Sequence, residues 1–258
     1  MAVVKTYKPG AFCWSDLGTP DVKKAKKFYE RLFGWKSKDV SMGMGDAKYS
    51  KQLLAGKDVC ALYAMFDGDK KAKALPLWLP YICVKNVDTT IKKVKAAGGT
   101  IAMGPAEITD KGRMAMIVDP SGAVSALWQA RAHPGAGLSG VPGTVCWHDL
   151  NTPDPAIAGP FYSKVLGWKC AGKDFSGKDY HLFKAGKDGV GGMWPVAMKN
   201  LPTSWLTYWQ VEKCAATVAK AKRLGARALM GPMEVPSMCR FAVLKDPQGA
   251  PFGVLEPL

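Results

Sequence analysis

The sequence has few of the residues on which metal sites, disulfide frameworks and membrane anchors depend. Its 258 residues include only three histidines, and its seven cysteines are odd in number and form no Cys-x-x-Cys pair. That cysteine pattern fits neither a disulfide framework nor a zinc ribbon. No apolar run approaches the roughly 18 residues of a membrane span, and the N-terminus lacks the apolar core of a secretory signal. We therefore expect a cytoplasmic protein with no membrane partner.

Acidic residues are also scarce, since 21 Asp and Glu face 36 Lys and Arg, which gives a net charge of +15. Such a field attracts anionic partners. The lysines, however, are scattered at the spacing of exposed helix faces, and no zinc-finger or RNA-recognition signature accompanies them. Nucleic-acid binding is therefore not favoured by the sequence.

Motifs for several other chemistries are absent. The sequence contains no phosphate-binding GxxxxGK[ST] loop and no GxGxxG segment, and no GxSxG elbow or HExxH pair. Cys13 and Cys146 are predicted to face the helices, without a neighbouring histidine to activate them. Nucleotide binding, serine hydrolysis and thiol catalysis are therefore not expected.

What the sequence does contain is one domain repeated twice. GAFCWSDLGTPD, from Gly10, returns as GTVCWHDLNTPD from Gly143, an offset of 133. FYERLFGWK returns as FYSKVLGWK at the same offset, whereas DPSGA returns as DPQGA at an offset of 127. The repeat predicts two homologous domains, residues 1–133 and 143–258, joined by a Gly/Pro/Ser-rich linker at residues 134–142.

Each half shows the pattern of two strand–helix–strands units. The strand AFCWSDL is followed by a helix-start signal at Thr19-Pro20-Asp21, with the proline expected early in the first turn. Apolar residues then recur at helical spacing as far as Gly34, a C-cap glycine. After two strand-like runs the pattern begins again with LWLPYICV, a second helix, and two strands joined by a DPSG turn.

This order of motifs resembles the vicinal oxygen chelate superfamily, which includes glyoxalase I, bleomycin-resistance proteins and extradiol dioxygenases. The matching segments are Asp21, Ala25, Phe28, Tyr29, Gly34 and Trp35 around the first helix, Ala96 to Pro105, and the DPSG turn from Asp119 to Gly122. The resemblance covers nearly the whole chain. It implies an α+β fold in which four βαβββ units form two cup-shaped domains with the helices outside, each cup suited to a small molecule.

Metal-using members of that superfamily hold a divalent ion in the cup with His, Glu or Gln ligands. The resemblance assigns the ligand positions to Trp14, Leu79 and Ala126 in the first half and to Trp147, Leu206 and Gly253 in the second. None of these side chains is a donor for such an ion. We therefore expect no metal and no other cofactor. The alternative is a divalent ion held by His148, His181 and Asp149, although strand alternation turns His148 toward the helices.

Strand alternation also predicts what the cups offer instead of a metal. If Trp14 points inward, Phe12 and Asp16 do too, and the second half repeats the arrangement. The predicted ligand-binding residues are Phe12, Trp14, Asp16, Tyr81, Arg113, Trp147, Asp149, Tyr208, Gln210 and Arg240. An aromatic lining suits a planar or hydrophobic molecule. The two aspartates have raised pKa values in such a setting, unless they cap the following helices or pair with Arg113 and Arg240.

Three functions stay open at this point. The first is binding of a small aromatic or anionic molecule without metal, as in bleomycin-resistance proteins. The second is a metal-dependent lyase, isomerase or dioxygenase with non-standard ligands, so the sequence leaves open whether the chain is an enzyme. The third is a basic interaction or nucleic-acid-binding module, suggested only by the charge. A monomer and a homodimer are both compatible with the sequence.

Overall fold

The computed structural model describes residues 2–42, 45–68, 74–175, 178–194 and 202–258. A short strand β1 (Ala2–Val3) comes first. The first half then contains β2 (Phe12–Thr19), α1 (Val22–Phe33), β3 (Lys36–Ser41), β4 (Lys48–Leu54), β5 (Lys57–Ala64), β6 (Leu77–Cys83), α2 (Val87–Ala96), β7 (Thr100–Ile108), β8 (Gly112–Val118) and β9 (Val124–Ala130). The linker contributes β10 (Leu138–Ser139), which pairs with β1.

The second half repeats this order of elements. It contains β11 (Val145–Asn151), α3 (Pro155–Leu166), β12 (Lys169–Phe175), β13 (Lys178–Ala185), β14 (Asp188–Trp194), β15 (Ser204–Gln210), α4 (Cys214–Arg223), β16 (Arg227–Val235), β17 (Cys239–Lys245) and β18 (Pro251–Pro257). None of the helices in the described part of the chain has the length and hydropathy of a membrane span.

Each half forms one eight-stranded sheet. The strand order is β3-β4-β5-β2-β6-β9-β8-β7 in the first sheet and β12-β13-β14-β11-β15-β18-β17-β16 in the second. Two βαβββ units therefore meet at the centre of each sheet, where β2 pairs antiparallel with β6 and β11 with β15. This confirms the predicted α+β fold with four βαβββ units.

The strand that follows each helix was missed from the sequence. In the first half these strands are β3, whose sequence KSKDVS is mostly polar, and β7, which contains Gly104-Pro105. The pairing of β7 with β8 shifts register twice. Polar composition and an interrupted register both hide the two-residue alternation by which strands are recognised.

Local signals fix the helix ends. The Asp21 carboxylate accepts a hydrogen bond from the Lys24 N–H as the N-cap of α1, and Gly34 ends the helix in the left-handed region with φ of 77°. Because Asp21 takes the cap position, Pro20 lies before the helix, and the prediction that it belongs to the first turn was wrong. In α3 the matching Pro153 likewise lies before the N-cap Asp154, and a further proline, Pro155, is the first helical residue.

The two halves pack through their helix-bearing faces. One buried cluster combines Phe28 and Tyr29 of α1 with Trp209 and Phe252 of the second half. A second cluster combines Ile91 of α2 with residues of α3 and β15. The opposite face of each sheet, here called its cup face, forms a separate cluster in each half.

Two matched hydrogen bonds join the repeats across this interface. The Tyr29 hydroxyl donates to Asp246 Oδ2 at 3.0 Å, and the Tyr162 hydroxyl donates to Asp119 Oδ2 at 2.9 Å. The Oδ1 atom of each aspartate instead accepts backbone N–H groups of its own turn. The tyrosine of one repeat's FY motif therefore completes the hydrogen bonding of the other repeat's DP turn.

Two tryptophans from the GW motifs reinforce the interface. The Trp35 indole N–H donates to the Gly143 carbonyl, and the Trp168 indole N–H donates to the Gly10 carbonyl, both at 2.9 Å. Each glycine opens the other repeat, so the motif residues that carry the family resemblance also hold the halves together.

We expect Tyr29→Phe and Tyr162→Phe each to lower the free energy of unfolding by about 1–3 kcal/mol, because each leaves a buried carboxylate oxygen without its donor. Urea denaturation measures the change. Ser163→Ala is the control, since it removes a hydrogen bond to the Gly159 carbonyl within α3 alone. Equal effects of all three substitutions would contradict the cross-half role of the tyrosines.

Candidate functional site

The central strand of the first sheet carries a β-bulge that sets which side chains enter the cup. The register between β2 and β6 shifts between Phe12 and Trp14. As a result Cys13 and Trp14 both pack in the cup-face cluster, whereas Phe12 stacks on His148 of the other half with ring centroids 4.0 Å apart. The predictions that Phe12 lines the cup and that Cys13 faces the helices were wrong, because a bulge inserts one residue into the alternation.

The second sheet has the same bulge at the matched position. The register between β11 and β15 shifts between Val145 and Trp147. Cys146 and Trp147 pack against the cup-face cluster, while Val145 packs between the halves. Here too the prediction that Cys146 faces the helices was wrong.

A buried carboxylate lies beside these tryptophans in the first cup. Asp16 is 2% exposed, and its Oδ2 accepts hydrogen bonds from the hydroxyls of Tyr49 at 3.0 Å and Tyr81 at 2.8 Å. The Trp14 indole N–H donates to the Tyr49 oxygen at 2.7 Å. The other oxygen, Asp16 Oδ1, is buried without a hydrogen-bond partner. Burial raises the pKa of Asp16 to about 7, against the opposing effect of the tyrosine hydrogen bonds.

Asp149 occupies the matched position in the second cup and is bonded on both oxygens. Its Oδ1 accepts from the Trp147 indole at 2.9 Å and from the Tyr180 hydroxyl at 2.7 Å, and its Oδ2 accepts from the Trp194 indole at 3.1 Å. The neighbouring Tyr208 hydroxyl also favours the carboxylate. Burial nevertheless raises the pKa of Asp149 above its usual value.

Two glycines make room for this second cluster. A Cβ atom at Gly192 would overlap the Tyr180 hydroxyl, and one at Gly253 would overlap the Tyr208 ring. Tyr180 reaches Asp149, and Tyr208 takes its place in the cup, because these positions lack side chains.

Sequence reasoning placed Asp16, Asp149, Tyr81 and Tyr208 on the cup side but missed three partners, namely Tyr49, Tyr180 and Trp194. A usable signal existed, because a tyrosine precedes the AGKD turn in both repeats. The two tyrosines are 131 residues apart whereas the AGKD segments are 130 apart. The turn lies at Ala55-Gly56 in the first hairpin, where Leu54 pairs with Lys57, and at Gly186-Lys187 in the second, where Ala185 pairs with Asp188. The tyrosines therefore match in the structure but are displaced by one residue relative to the AGKD segment.

The two predicted arginines lie on the wrong face. Arg113 forms ion pairs with Asp88 of α2 at 2.8 Å and with Glu107 at 2.9 Å. Arg240 pairs with Glu234 at 2.8 Å and with Glu256 at 3.5 Å. Their neighbours Met114 and Phe241 pack on the cup faces, so alternation directs the arginines to the opposite side. Neither arginine pairs with Asp16 or Asp149.

The residues present do not fit the divalent ion of the metal-using relatives. Trp14, Leu79 and Ala126 all lie on the first cup face, as do Trp147 and Leu206 on the second. At Gly253 the space for a ligand side chain is filled by the Tyr208 ring. Among the described residues no three His, Cys, Asp or Glu side chains come together.

The alternative metal set does not converge either. His148 stacks on Phe12 between the halves, whereas Asp149 is bonded to Trp147 and Tyr180 on the cup side. His181 is half-buried on β13. His148 and Asp149 are adjacent residues that follow the bulge in regular pairing with β15, so they point to opposite faces of the sheet.

The last residue of the first domain, His133, and the start of the linker close one end of the first cup. The His133 ring lies edge-on against Trp14 with centroids 4.7 Å apart, and the His133 carbonyl accepts the Trp128 indole N–H at 2.9 Å. The Ala136 N–H then donates to the Cys13 carbonyl at 2.8 Å. Trp14 and Trp128 are each only 5% exposed as a result. Burial lowers the pKa of His133 to about 4, so this imidazole is neutral at pH 7.

The same end of the second cup has no such cover among the described residues. Cys146, Trp147, Gln210 and Leu255 stand at the positions matched to Cys13, Trp14, Cys83 and Trp128, and all four are half-buried. The second cup is therefore the more accessible of the two at this end.

Two family models match the chain. Residues 12–126 match the glyoxalase/bleomycin resistance protein/dioxygenase superfamily, and residues 146–255 match the glyoxalase-like domain. The chain belongs to this superfamily. The predicted resemblance is thereby confirmed in both halves.

Relatives match the chain over nearly its full length. A protein named putative glyoxylase CFP32, from Mycobacterium tuberculosis, is 41% identical over 252 residues, which are 97% of this chain and 96% of the relative. The anthracycline biosynthesis protein DnrV of Streptomyces peucetius is 33% identical over 261 residues, covering 97% and 94%. The Mn(II)-bound glyoxalase from Novosphingobium aromaticivorans superposes with a TM-score of 0.67 at 17% identity, over 96% of this chain and 82% of that one. At that identity the likeness concerns the fold.

The two aspartates should respond differently to neutralisation. The folded pKa of Asp16, about 7, lies above the usual 3.8, so the contribution of this group to stability is present below about pH 4 and is lost as the pH rises to about 7. Asp16→Asn should therefore match the wild type near pH 4 and exceed its stability at pH 8, by up to about 1.4 kcal/mol for each pH unit between the two pKa values.

Asp149→Asn is the matched comparison. It should destabilise the protein by about 1–3 kcal/mol at pH 8, because an amide NH₂ group would face indole and hydroxyl donors. Urea denaturation at both pH values measures the two variants. A loss of stability at pH 8 in both, or in neither, would contradict the difference in hydrogen bonding between the cups.

Proposed function

We propose that this chain binds a neutral, planar aromatic molecule in its second cup, without the divalent ion used by metal-dependent relatives. The observation that carries the proposal is that apolar and aromatic side chains occupy the positions at which metal-using relatives have their metal ligands. Trp147 and Leu206 stand at two of them, and the Tyr208 ring lies over Gly253 at the third. Aromatic and aliphatic surface thus replaces the donors that a cation needs.

The chemistry of the second cup favours an uncharged ring. Its half-buried surface comes from Trp147, Trp194, Met230 and Leu255, which offer flat faces and apolar contacts for stacking. The carboxylate at its base would repel an anion, and Arg240 is paired with glutamates on the other side of the sheet. Of the two ligand classes that the sequence suggests, the aromatic class therefore fits better than the anionic one.

The choice of the second cup follows from the linker. In the first cup the His133 ring already lies against the tryptophan that Trp147 matches. This contact of a neutral planar ring with Trp14 supports the proposal that the exposed face of Trp147 binds a similar group. The Streptomyces relative is named as a protein of anthracycline biosynthesis, which agrees with a small organic ligand.

The absence of a metal requirement can be measured directly. Purified untagged protein should contain much less than one equivalent of Zn, Mn, Fe or Ni by mass spectrometry, and its melting temperature should not change after treatment with a chelator. About one equivalent per half, lost together with stability on chelation, would overturn the metal-free part of the proposal.

Ligand binding can be tested with a panel of neutral polycyclic aromatic compounds in the presence of a chelator. We expect compounds that raise the melting temperature and quench tryptophan fluorescence. Leu255→Arg should weaken this binding at least tenfold, because it places a charge against the ring. Met116→Arg, the same change at a half-buried position of the first cup, is the control and should leave binding unchanged. Equal weakening by both variants, or no binding compound, would contradict a site in the second cup.

A further inference from the structure

A cavity of about 200 Å³ lies between the two halves, and neither Asp16 nor Asp149 lines it. Besides Cys13 and Trp14, its wall combines Phe12 and Ser15 of β2, Val145 and His148 of β11, and Ala136 and Leu138 of the linker. Because both repeats and the linker contribute, this inter-half cavity exists only in the assembled chain. It is separate from the ligand site proposed in the second cup.

A histidine with spare hydrogen-bonding capacity lines this cavity, together with the hydroxyl side chains of Tyr7, Ser15 and Ser139. His148 and Ser15 occupy matched positions of the repeats, and His148 Nε2 lies 3.4 Å from the Ser15 hydroxyl. Within the described ranges of the chain, Ser15 is the only hydrogen-bond partner of His148. Burial lowers the pKa of His148 to about 3, so the imidazole is neutral and has one donor and one acceptor nitrogen. Its Nδ1 atom is available to a bound molecule.

The remaining wall sets the size and charge of that molecule. Of the residues that the structure describes, no Lys, Arg, Asp or Glu lines the cavity, so an ion would enter without a counter-charge. A cavity of roughly 150 Å³ with an apolar lining is known to accept benzene. The inter-half cavity is therefore large enough for one aromatic ring and too small for a fused ring system.

We propose that the inter-half cavity binds a neutral single-ring aromatic molecule bearing a hydroxyl, that is, a phenol, with its hydroxyl on His148 and its ring among Phe12, Val145 and Leu138. A phenolic hydroxyl both donates and accepts, so it satisfies either tautomer of the imidazole. The phenol ring would fill the apolar part of the inter-half cavity.

The test compares phenol, benzene and benzoate at pH 7, where benzoate is an anion. Titrations followed through the imidazole resonances of His148 should saturate with phenol. Phenol should bind about fivefold to tenfold more tightly than benzene, since one neutral hydrogen bond is worth about 1 kcal/mol, and benzoate should not bind. If none of the three perturbs His148 at saturating concentration, the cavity holds only water and the proposal is wrong.

Variants locate the site and separate it from the second cup. His148→Phe keeps the ring but removes the nitrogen, so benzene binding should persist while the preference for phenol falls to within about twofold. Ala136→Leu fills the cavity and should abolish binding of both; Val145→Met does the same if the first variant does not fold. Leu255→Arg, which blocks the second cup, should leave phenol binding intact.

The two proposals therefore fail in distinguishable ways. Phenol binding that survives both cavity-filling variants would place the compound elsewhere and overturn the proposal. Loss of polycyclic binding alone would concern only the second cup.

Discussion

The two tyrosine–aspartate hydrogen bonds between the halves are the constraint on which the rest of the molecule depends. Each DP turn uses one aspartate oxygen for its own backbone and leaves the other for a tyrosine of the opposite repeat. A buried oxygen without its donor costs about 1–3 kcal/mol. Neither repeat can therefore satisfy its own buried polar groups, and the duplicated sequence specifies one cooperative unit. The indole bonds of Trp35 and Trp168 to the opposite repeat add to this requirement.

Because of this packing, each central strand (β2 or β11) has one face in a cup and the other face between the halves. One face of β2 carries Trp14 and Asp16 to the cup, and the other brings Ser15 to His148 between the halves. The bulge makes this possible, because it changes the alternation after Phe12 and leaves that ring in the interface. The lining of the cup and the lining of the inter-half cavity are consequently parts of the same rigid strand. A substitution that slips the register of β2 by one residue would exchange the two sets of side chains.

The sequence was sufficient to predict the fold class, because the same motifs occur in both repeats, although the strand after each helix was missed. Helix starts, C-cap glycines and DP turns recur in the same order, and each has a local physical cause that survives in both copies. The site was predicted less well. Alternation placed Asp16 and Tyr81 on the cup side, but it could not anticipate a bulge, so Phe12 and Cys13 were assigned to the wrong faces. The arginines were matched to the aspartates by their repeated positions alone, and no pattern in the sequence indicated that Asp88, Glu107 and Glu256 would pair with them.

The two halves differ at the end of the cup that the linker can reach. A single linker connects two repeats, so it can lie against only one cup, and it lies against the first. There it buries Trp14 and Trp128, and Asp16 keeps one oxygen without a donor. In the second cup the positions matched to those tryptophans are more exposed, while Asp149 is surrounded by donors that satisfy it without outside help. A saturated carboxylate adds rigidity to the base of a site and takes little part in recognition. For the ligand site proposed in the second cup, selectivity would come from the shape and aromatic character of the walls, which suit a flat, uncharged molecule.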